Sequence, residues 1–535
     1  MFTDTVPTQP RMDLPTIECR NPATLERLGE VPALDAKAVG ERVERARRAQ
    51  KAWGETSFAE RRHVLRTLLD YIVDHQEEIA RICSRDSGKT LLDAGMGEIF
   101  PVCEKIRYLI ASGERDLAPE ARDPGILMHK AARVEYHPLG VVGVLCPWNF
   151  PFHNVFCPVV PALFAGNAVI AKVSEWTSWS AADFQAIFDH VFAKTGHSAD
   201  LVQIITGAGE TGSALVTSGV DKVFFTGSPQ NGRKVMAAAA ETLTPVVLEL
   251  GGKDPMIVCD DADLEQAVSA AMTGVFTACG QMCVAAERLY VFDGIYDRFV
   301  ERVVERVRGL RQGVPLESAP GDQDLGATTM PRQLEIIERQ IADAVQKGAR
   351  VLAGGRRNPS LRGQFFEPTV VVDVDHSMAL VREETFGPVM TIIRVHSEGE
   401  AVRLANDCAY GLGSSVFTKD PKRADRIARQ ISAGMTVIND YGIAYMAQSL
   451  PFGGVRISGF GRINGREGLR ACCNEKAYLT DRLPIHPAYP IYPVRPESFD
   501  LLQDLVTVVY GGSTMKRAGA ALQMARRLLA IARGR

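Results

Sequence analysis

"LGVVGVLCPWNFPFHNVFCPVVPALFAGNAVIA", residues 139–171, holds no Lys, Arg, Asp or Glu and is long enough to span a bilayer. It does not read as a membrane span. Pro147, Pro151, Pro158 and Pro161 would interrupt a helix, and Asn149, Asn154 and Asn167 would strand polar groups in lipid. A buried strand, a turn, a helix and a second strand account for the same residues, and that choice decides the fold.

Downstream the alternation continues through "AVIAKV", a helical pattern at 178–194, "LVQII", 210–217, "KVFFT", 230–240 and "PVVLEL". Strand and helix in strict repetition predict a doubly wound parallel α/β sheet with a crevice at its strand ends. After "GGKDP" a second alternation runs through "PMIVCD", 262–277, "RLYVF", 331–347, "VMTIIRV" and "GMTVIN", predicting a second α/β domain. Upstream, 36–112 carries helical periodicity and reads as a packed lead-in. The 535 residues exceed what one core accommodates, so two or three domains are expected.

Composition narrows function by exclusion. The hydrophobic share of 46%, the charged share of 23% and the net charge of −3 give no general affinity for nucleic acid or membrane. Eleven scattered cysteines without a CxxC pair argue against a disulfide scaffold and a zinc site, so no metal is expected. The opening "MFTDTVPTQPRMDLPTIECRNP" has no apolar core of the signal-peptide kind, which with the cysteines predicts a cytoplasmic protein.

Several strand ends carry residues suited to a dinucleotide. "TGAGETG", with Gly207, Gly209 and Gly212, has the form of a pyrophosphate fingerprint, although a tight strand-to-helix turn explains it equally. Gly227 and Ser228 in "KVFFTGSPQNGRK" open a helix whose free N–H groups would attract phosphate. In "AVIAKVSEWT", Lys172 and Glu175 lie just past a strand, where a carboxylate can hold ribose hydroxyls. "FTACGQMCVAAERL", residues 276–289, offers Cys279 and Cys283; either is a nucleophile toward a carbonyl carbon if activated, and either is otherwise a small core residue.

Taken together, "PWNFP" (147–151), "KVSE" (172–175), "FTGS" (225–228), "LELGGKDP" (248–255), "GQMC" (280–283), "EETFGPV" (383–389) and "PFGGVRISGFGR" (451–462) resemble the NAD(P)-dependent aldehyde dehydrogenase superfamily over about 15–482. The resemblance implies Cys283 as nucleophile, Asn149 and the Cys283 backbone N–H as oxyanion donors, and Glu249 as the base that hydrolyses a thioester to a carboxylic acid. For the cofactor it implies Pro147, Trp148, Lys172, Glu175, Gly209, Phe225, Gly227, Ser228, Leu250, Glu384 and Phe386, with "FTGS" rather than "TGAGETG" at the pyrophosphate. A carboxylate at Glu175 would repel a 2′-phosphate, so NAD is expected over NADP. Arg456 stands where the family more often has lysine.

The implied organisation is an NAD-binding domain at 1–118 and 139–249, a catalytic domain at 250–468, and an oligomerisation element at 119–138 and 469–482 that makes a homodimer or homotetramer. Residues 152–157 and 439–450, placed by the resemblance at the aldehyde tunnel, hold aromatics and no Lys or Arg, favouring a neutral aliphatic or aromatic aldehyde. A semialdehyde or CoA-acylating enzyme and a silent scaffold or membrane-associated member are the alternatives; Glu249 counts against CoA transfer, and the complete catalytic set counts against a scaffold.

Residues 483–535 lie beyond the shared pattern. Five prolines in 484–496 predict a stiff linker, and two amphipathic helices follow, broken at Gly511 and Gly512. Residues 513–535 carry six Lys or Arg and no acid. Such a tail suits peripheral contact with an anionic membrane, and equally packing on a neighbouring subunit.

Overall fold

The stretch 139–171 folds as strand Val141–Leu145, helix Pro151–Phe164 and strand Ala168–Lys172, both strands fully buried. Pro151 occupies the first helical turn, where an N–H has no intrahelical partner. Asn167 is satisfied inside the protein: its side chain accepts from the N–H groups of Leu139 (2.7 Å) and Gly140 (2.9 Å) and donates to the carbonyls of Ala162 (3.0 Å) and Cys472 (2.8 Å). Phe152 stacks on Phe156 at 4.0 Å and Phe156 on Phe188 at 4.6 Å, so the charge-free run is core. This computed structural model describes residues 14–317, 319, 321–484, 492 and 494–533.

The chain forms two compact units, one of 1–120 with 134–477 and one of 121–133 with 478–535. In the larger unit, the strands Val202–Ile205, Ala168–Lys172, Val141–Leu145, Lys222–Gly227 and Val246–Leu250 lie parallel in that spatial order. Numbered along the chain the order is 3-2-1-4-5, a doubly wound sheet whose topological switch falls between Val141–Leu145 and Lys222–Gly227. Gly459–Phe460 closes one edge antiparallel to Val246–Leu250, with Gly459 opposite Glu249.

The second sheet has seven strands, ordered Arg350–Ala353, Thr369–Val372, Val389–Val395, Ala286–Phe292, Asp254–Val258, Ser415–Phe417 and Val437–Ile438. Its pairings are parallel except at Arg350–Ala353. Apolar clusters cover its two faces, one around Phe299 and Leu289, the other around Tyr290, Ile337 and Val416. Both sheets and their helices match an aldehyde dehydrogenase-like α/β architecture.

The helical lead-in comprises Ala36–Gly54, Phe58–Asp74, Gln76–Ser87, Leu91–Ala94 and Phe100–Asp116, with a π-helical turn at Gly95–Ile99. The smaller unit carries the helices Ser498–Tyr510 and Thr514–Arg533, which pack side by side. They end and begin around Gly511 and Gly512, as the sequence predicts. Most of the proline stretch 484–496 lies outside the described residues.

Candidate active site

Cys283 sits three residues past the tight segment in which Ala278, Cys279 and Gly280 have φ of 48°, 56° and 70°. Successive left-handed residues are costly for side chains other than glycine, and they persist only where the surroundings impose them. Buried Asp93 accepts the Ala278 N–H at 3.0 Å, and Gln281 spans the loop by donating to the Ala278 carbonyl (3.0 Å) and accepting from Thr329 N (2.9 Å). A side chain at Gly280 would meet the Gly387 carbonyl, so the "GQMC" and "FGPV" loops close on each other through glycine.

The two cysteines have different surroundings. Cys279 is buried, and its thiol donates to the Gly326 carbonyl at 3.1 Å. Cys283 is half-buried, and the Glu249 carboxyl is its neighbour. Burial, and then the neighbouring Glu249 carboxyl, hold the Cys283 thiol well above its ordinary range. Burial also lifts Glu249 to about 7, and its Oε1 has no hydrogen-bond partner. A carboxyl kept near neutrality beside a sulfur is suited to taking up a proton at physiological pH.

Asn149 reaches the same loop from the first sheet. Its Nδ2 donates to the Gln281 carbonyl at 2.9 Å and its Oδ1 accepts from Asn154 at 3.0 Å. An amide nitrogen has two hydrogens, and the contact with Gln281 uses one. Lys89 donates to the Asn149 carbonyl at 2.7 Å, lies 4.1 Å from the centre of the Phe150 ring and is ion-paired with Glu98, both charges being buried. Glu98 also accepts the His153 N–H at 2.8 Å. Glu98 belongs to the π-helical turn, a distortion often found where a helix serves a site. The lead-in therefore clamps the backbone at Asn149, a contact its periodicity did not disclose.

"LELGG" joins the two sheets. Gly252 N–H donates to Glu384 Oε1 at 3.0 Å; a Cβ on Gly251 would strike the Glu384 carboxylate, and one on Gly252 the Cys283 carbonyl. The glycine pair therefore lets Cys283 and Glu384 approach within one turn of Glu249. Behind it, Lys253 and Glu287 form a buried ion pair at 2.5 Å, and Glu287 accepts from Thr385 N (2.7 Å) and Phe386 N (2.9 Å). Sequence reasoning passed over Lys89, Glu98, Lys253 and Glu287. The available signal was a charge in a segment otherwise read as buried, as in "AERLYVF".

The dinucleotide candidates gather at the carboxyl ends of the first sheet. Pro147 and Trp148 follow Val141–Leu145, and Trp148 meets Phe386 edge-on with ring centres 5.4 Å apart. Buried Lys172 ends its strand with Nζ 3.4 Å from Glu175. Phe225 and Gly227 lie in Lys222–Gly227, where a side chain on Gly227 would come within 2.6 Å of the Phe225 ring. Ser228 caps the helix Pro229–Thr242, whose first turn has no acid, and Gly232 on that helix leaves room for Leu250.

Gly209 starts the helix Gly209–Thr217, which packs beside Pro229–Thr242. The preceding turn is tied to the N-terminal segment, with Thr206 and Thr211 donating to the carbonyls of Pro32 and Leu34. An acid-free helix start at the switch point, a carboxylate at the adjacent strand end and a second carboxylate beside the nucleophile fit a dinucleotide.

The two stretches assigned to the aldehyde also meet, since His153 Nε2 and the Tyr445 hydroxyl are 2.6 Å apart. Burial lowers His153 to about 3, so the imidazole is neutral. Buried Lys105, lowered to about 8 by desolvation, is engaged by the side chain of Asn464 and the carbonyl of Ile463. Arg456 donates to the carbonyls of Asn406 (2.9 Å) and Cys408 (2.6 Å).

Residues 10–478 match the model of the aldehyde dehydrogenase family. An aldehyde dehydrogenase-like protein of Schizosaccharomyces pombe, C21C3, is 39% identical over 93% of this chain and 96% of its own length. The 4,4'-diapolycopene aldehyde oxidase of a Methylomonas species is 37% identical over 95% of this chain and 94% of its own. The crystal structure of Staphylococcus aureus betaine aldehyde dehydrogenase in complex with NAD+ superposes with a TM-score of 0.81 at 32% identity, covering 89% of this chain and 93% of that one. Semialdehyde dehydrogenases from Pseudomonas aeruginosa and Escherichia coli match at 36% and 35%. With nearly the whole chain matched and the strand order, the cysteine loop and the carboxylates assembled at one crevice, the protein belongs to the aldehyde dehydrogenase family, the aldehyde-oxidising oxidoreductases of the NAD(P)-linked fold.

Proposed function

We propose that this chain oxidises a neutral aliphatic or aromatic aldehyde to the carboxylic acid, with NAD in preference to NADP. The observation that carries the reading is the buried Glu249 carboxyl beside the Cys283 thiol, with the Asn149 amide fixed to the Gln281 carbonyl two residues upstream of the sulfur.

The chemistry follows from these positions. Glu249 takes the thiol proton as the Cys283 sulfur bonds to the aldehyde carbon, and the carbonyl oxygen becomes an oxyanion. The Asn149 amide and the Cys283 backbone N–H meet that charge. NAD, when bound, supplies the hydride acceptor. The carbon left on Cys283 is a thioester; Glu249, having passed the thiol proton to solvent, takes a proton from water as the water oxygen attacks, and the carbon–sulfur bond breaks to release the acid and a Cys283 thiolate that recovers its proton from Glu249. Glu384, Trp148 and Phe386 orient the nicotinamide end, Lys172 and Glu175 the adenosine ribose. Pro147, Phe225, Gly227, Ser228 and Leu250 line the groove between them, with Gly209 on the adjoining helix.

The neutral His153 supports an uncharged substrate, because a second carboxylate would find no cation to pair with in 152–157 or 439–450. The cofactor preference rests on Glu175, whose charge opposes a 2′-phosphate. The same reading takes the enzyme as a cytoplasmic homodimer or homotetramer, consistent with its eleven free cysteines.

The decisive experiment compares Cys283→Ala with Cys279→Ala. The first is expected to lower NADH formation by at least ~10³-fold while the second keeps most of it. Equal loss in both would remove Cys283 from its role.

A further inference from the structure

The two C-terminal helices pair their acids with an arginine across the hairpin and leave apolar rows exposed. Within Ser498–Tyr510 the acids are Asp500 and Asp504, and Arg527 of the second helix pairs with both, at 3.0 Å to Asp504. Asp504 and Ala520 are the buried positions of the hairpin. On the opposite side of the first helix, Phe499, Leu502, Val506 and Tyr510 recur at spacings of three and four and all are exposed, Phe499 by 66% and Tyr510 by 69%. On the second helix Met515, Leu522 and Leu529 recur every seven residues, Met515 being 85% exposed. Arg526 and Arg533 fall on that same helical face, interleaved with the leucines.

A hairpin folding for itself alone would bury those rows. With both acids paired to Arg527, the remaining charges of the two helices, Lys516, Arg517, Arg526 and Arg533, are all positive. Among the described residues no helix is long and apolar enough to cross a membrane. We propose that the hairpin 498–533 docks on an anionic lipid surface, its two apolar rows entering the headgroup boundary and Arg526 and Arg533 pairing with lipid phosphates. A two-fold contact between hairpins of two copies is disfavoured, because it would set arginine against arginine. The proposal is independent of which aldehyde is oxidised.

Co-sedimentation of the full chain with vesicles tests it, using phosphatidylcholine alone and an equal mixture with phosphatidylglycerol. Binding to the mixed vesicles is expected to exceed binding to the neutral ones by about ten-fold or more, and to fall as salt is raised. Leu522→Glu with Leu529→Glu, and separately Arg526→Glu with Arg533→Glu, are expected to abolish it without changing solution mass or the rate on a water-soluble aldehyde. The contrast between vesicle types in the unaltered chain stands even if a variant fails to fold. Equal or absent binding to both vesicles would overturn the proposal. So would splitting of the oligomer by the Leu522/Leu529 substitutions with vesicle binding retained, which would assign the apolar rows to a second copy.

Discussion

At the scale of single residues, the proposed catalysis turns on a buried carboxyl and its neighbouring thiol. Burial disfavours both anions and the Glu249 carboxyl raises the Cys283 thiol further, whereas the thiol acts on Glu249 in the opposite sense and lowers it. Turnover needs Glu249 ionised to accept protons. Because its carboxyl lies at about 7, activity is expected to rise with pH through that value, and a kcat profile measures it. Glu249→Gln should flatten that limb. It should also release about one equivalent of NADH per site and then stall, because a base required for hydrolysis is absent from the deacylation step. Steady turnover in this variant, with the limb intact, would assign the base elsewhere.

At the scale of elements, the site is made by three loops that meet only because glycine stands where they touch. Gly251 and Gly252 admit Glu384 and the Cys283 carbonyl, and Gly280 admits Gly387. The glycines stand in motifs quoted from the sequence, but the reason for them is contact between separate loops, across more than a hundred residues for Gly251 and Gly280, which no local pattern encodes. The same holds for the pair Lys253–Glu287. Spacing presents "KDP" and "AERL" as the starts of two strands, whereas in the fold these charges clip the loop of Thr385 and Phe386 to the sheet. Removing one partner leaves the other charged and desolvated. Lys253→Ala is therefore expected to lower stability by about 3–5 kcal/mol, while Lys253→Ala combined with Glu287→Ala loses less than the two single changes summed. Thermal or denaturant unfolding of the three variants measures the coupling, and simple additivity would show the pair does not act as a unit.

At the scale of the whole molecule, the strand order 3-2-1-4-5 places the ends of Val141–Leu145 and Lys222–Gly227 side by side. The strands, the helices and the doubly wound parallel class were legible from sequence, because each strand and helix of the first sheet is written locally as an apolar run or a helical period; the strand order comes from the fold. The antiparallel pairs Thr16–Arg20 with Arg27–Pro32 and Gly459–Phe460 with Val246–Leu250 were not, being short and decided by what lies beside them. Cofactor binding at the switch point couples to stability, since a ligand held by the native crevice and not by the unfolded chain stabilises by mass action. At a hundred times its dissociation constant NAD is expected to contribute about 2.7 kcal/mol, read as a shift of a few degrees in unfolding temperature. NADP at the same concentration should shift it less, because the proposed reading sets the Glu175 carboxylate at the adenosine ribose, where it would oppose a 2′-phosphate. Glu175→Gln should narrow that difference by removing the repulsion without removing the hydrogen-bonding group, and equal shifts with both dinucleotides in the unaltered protein would overturn the assigned preference.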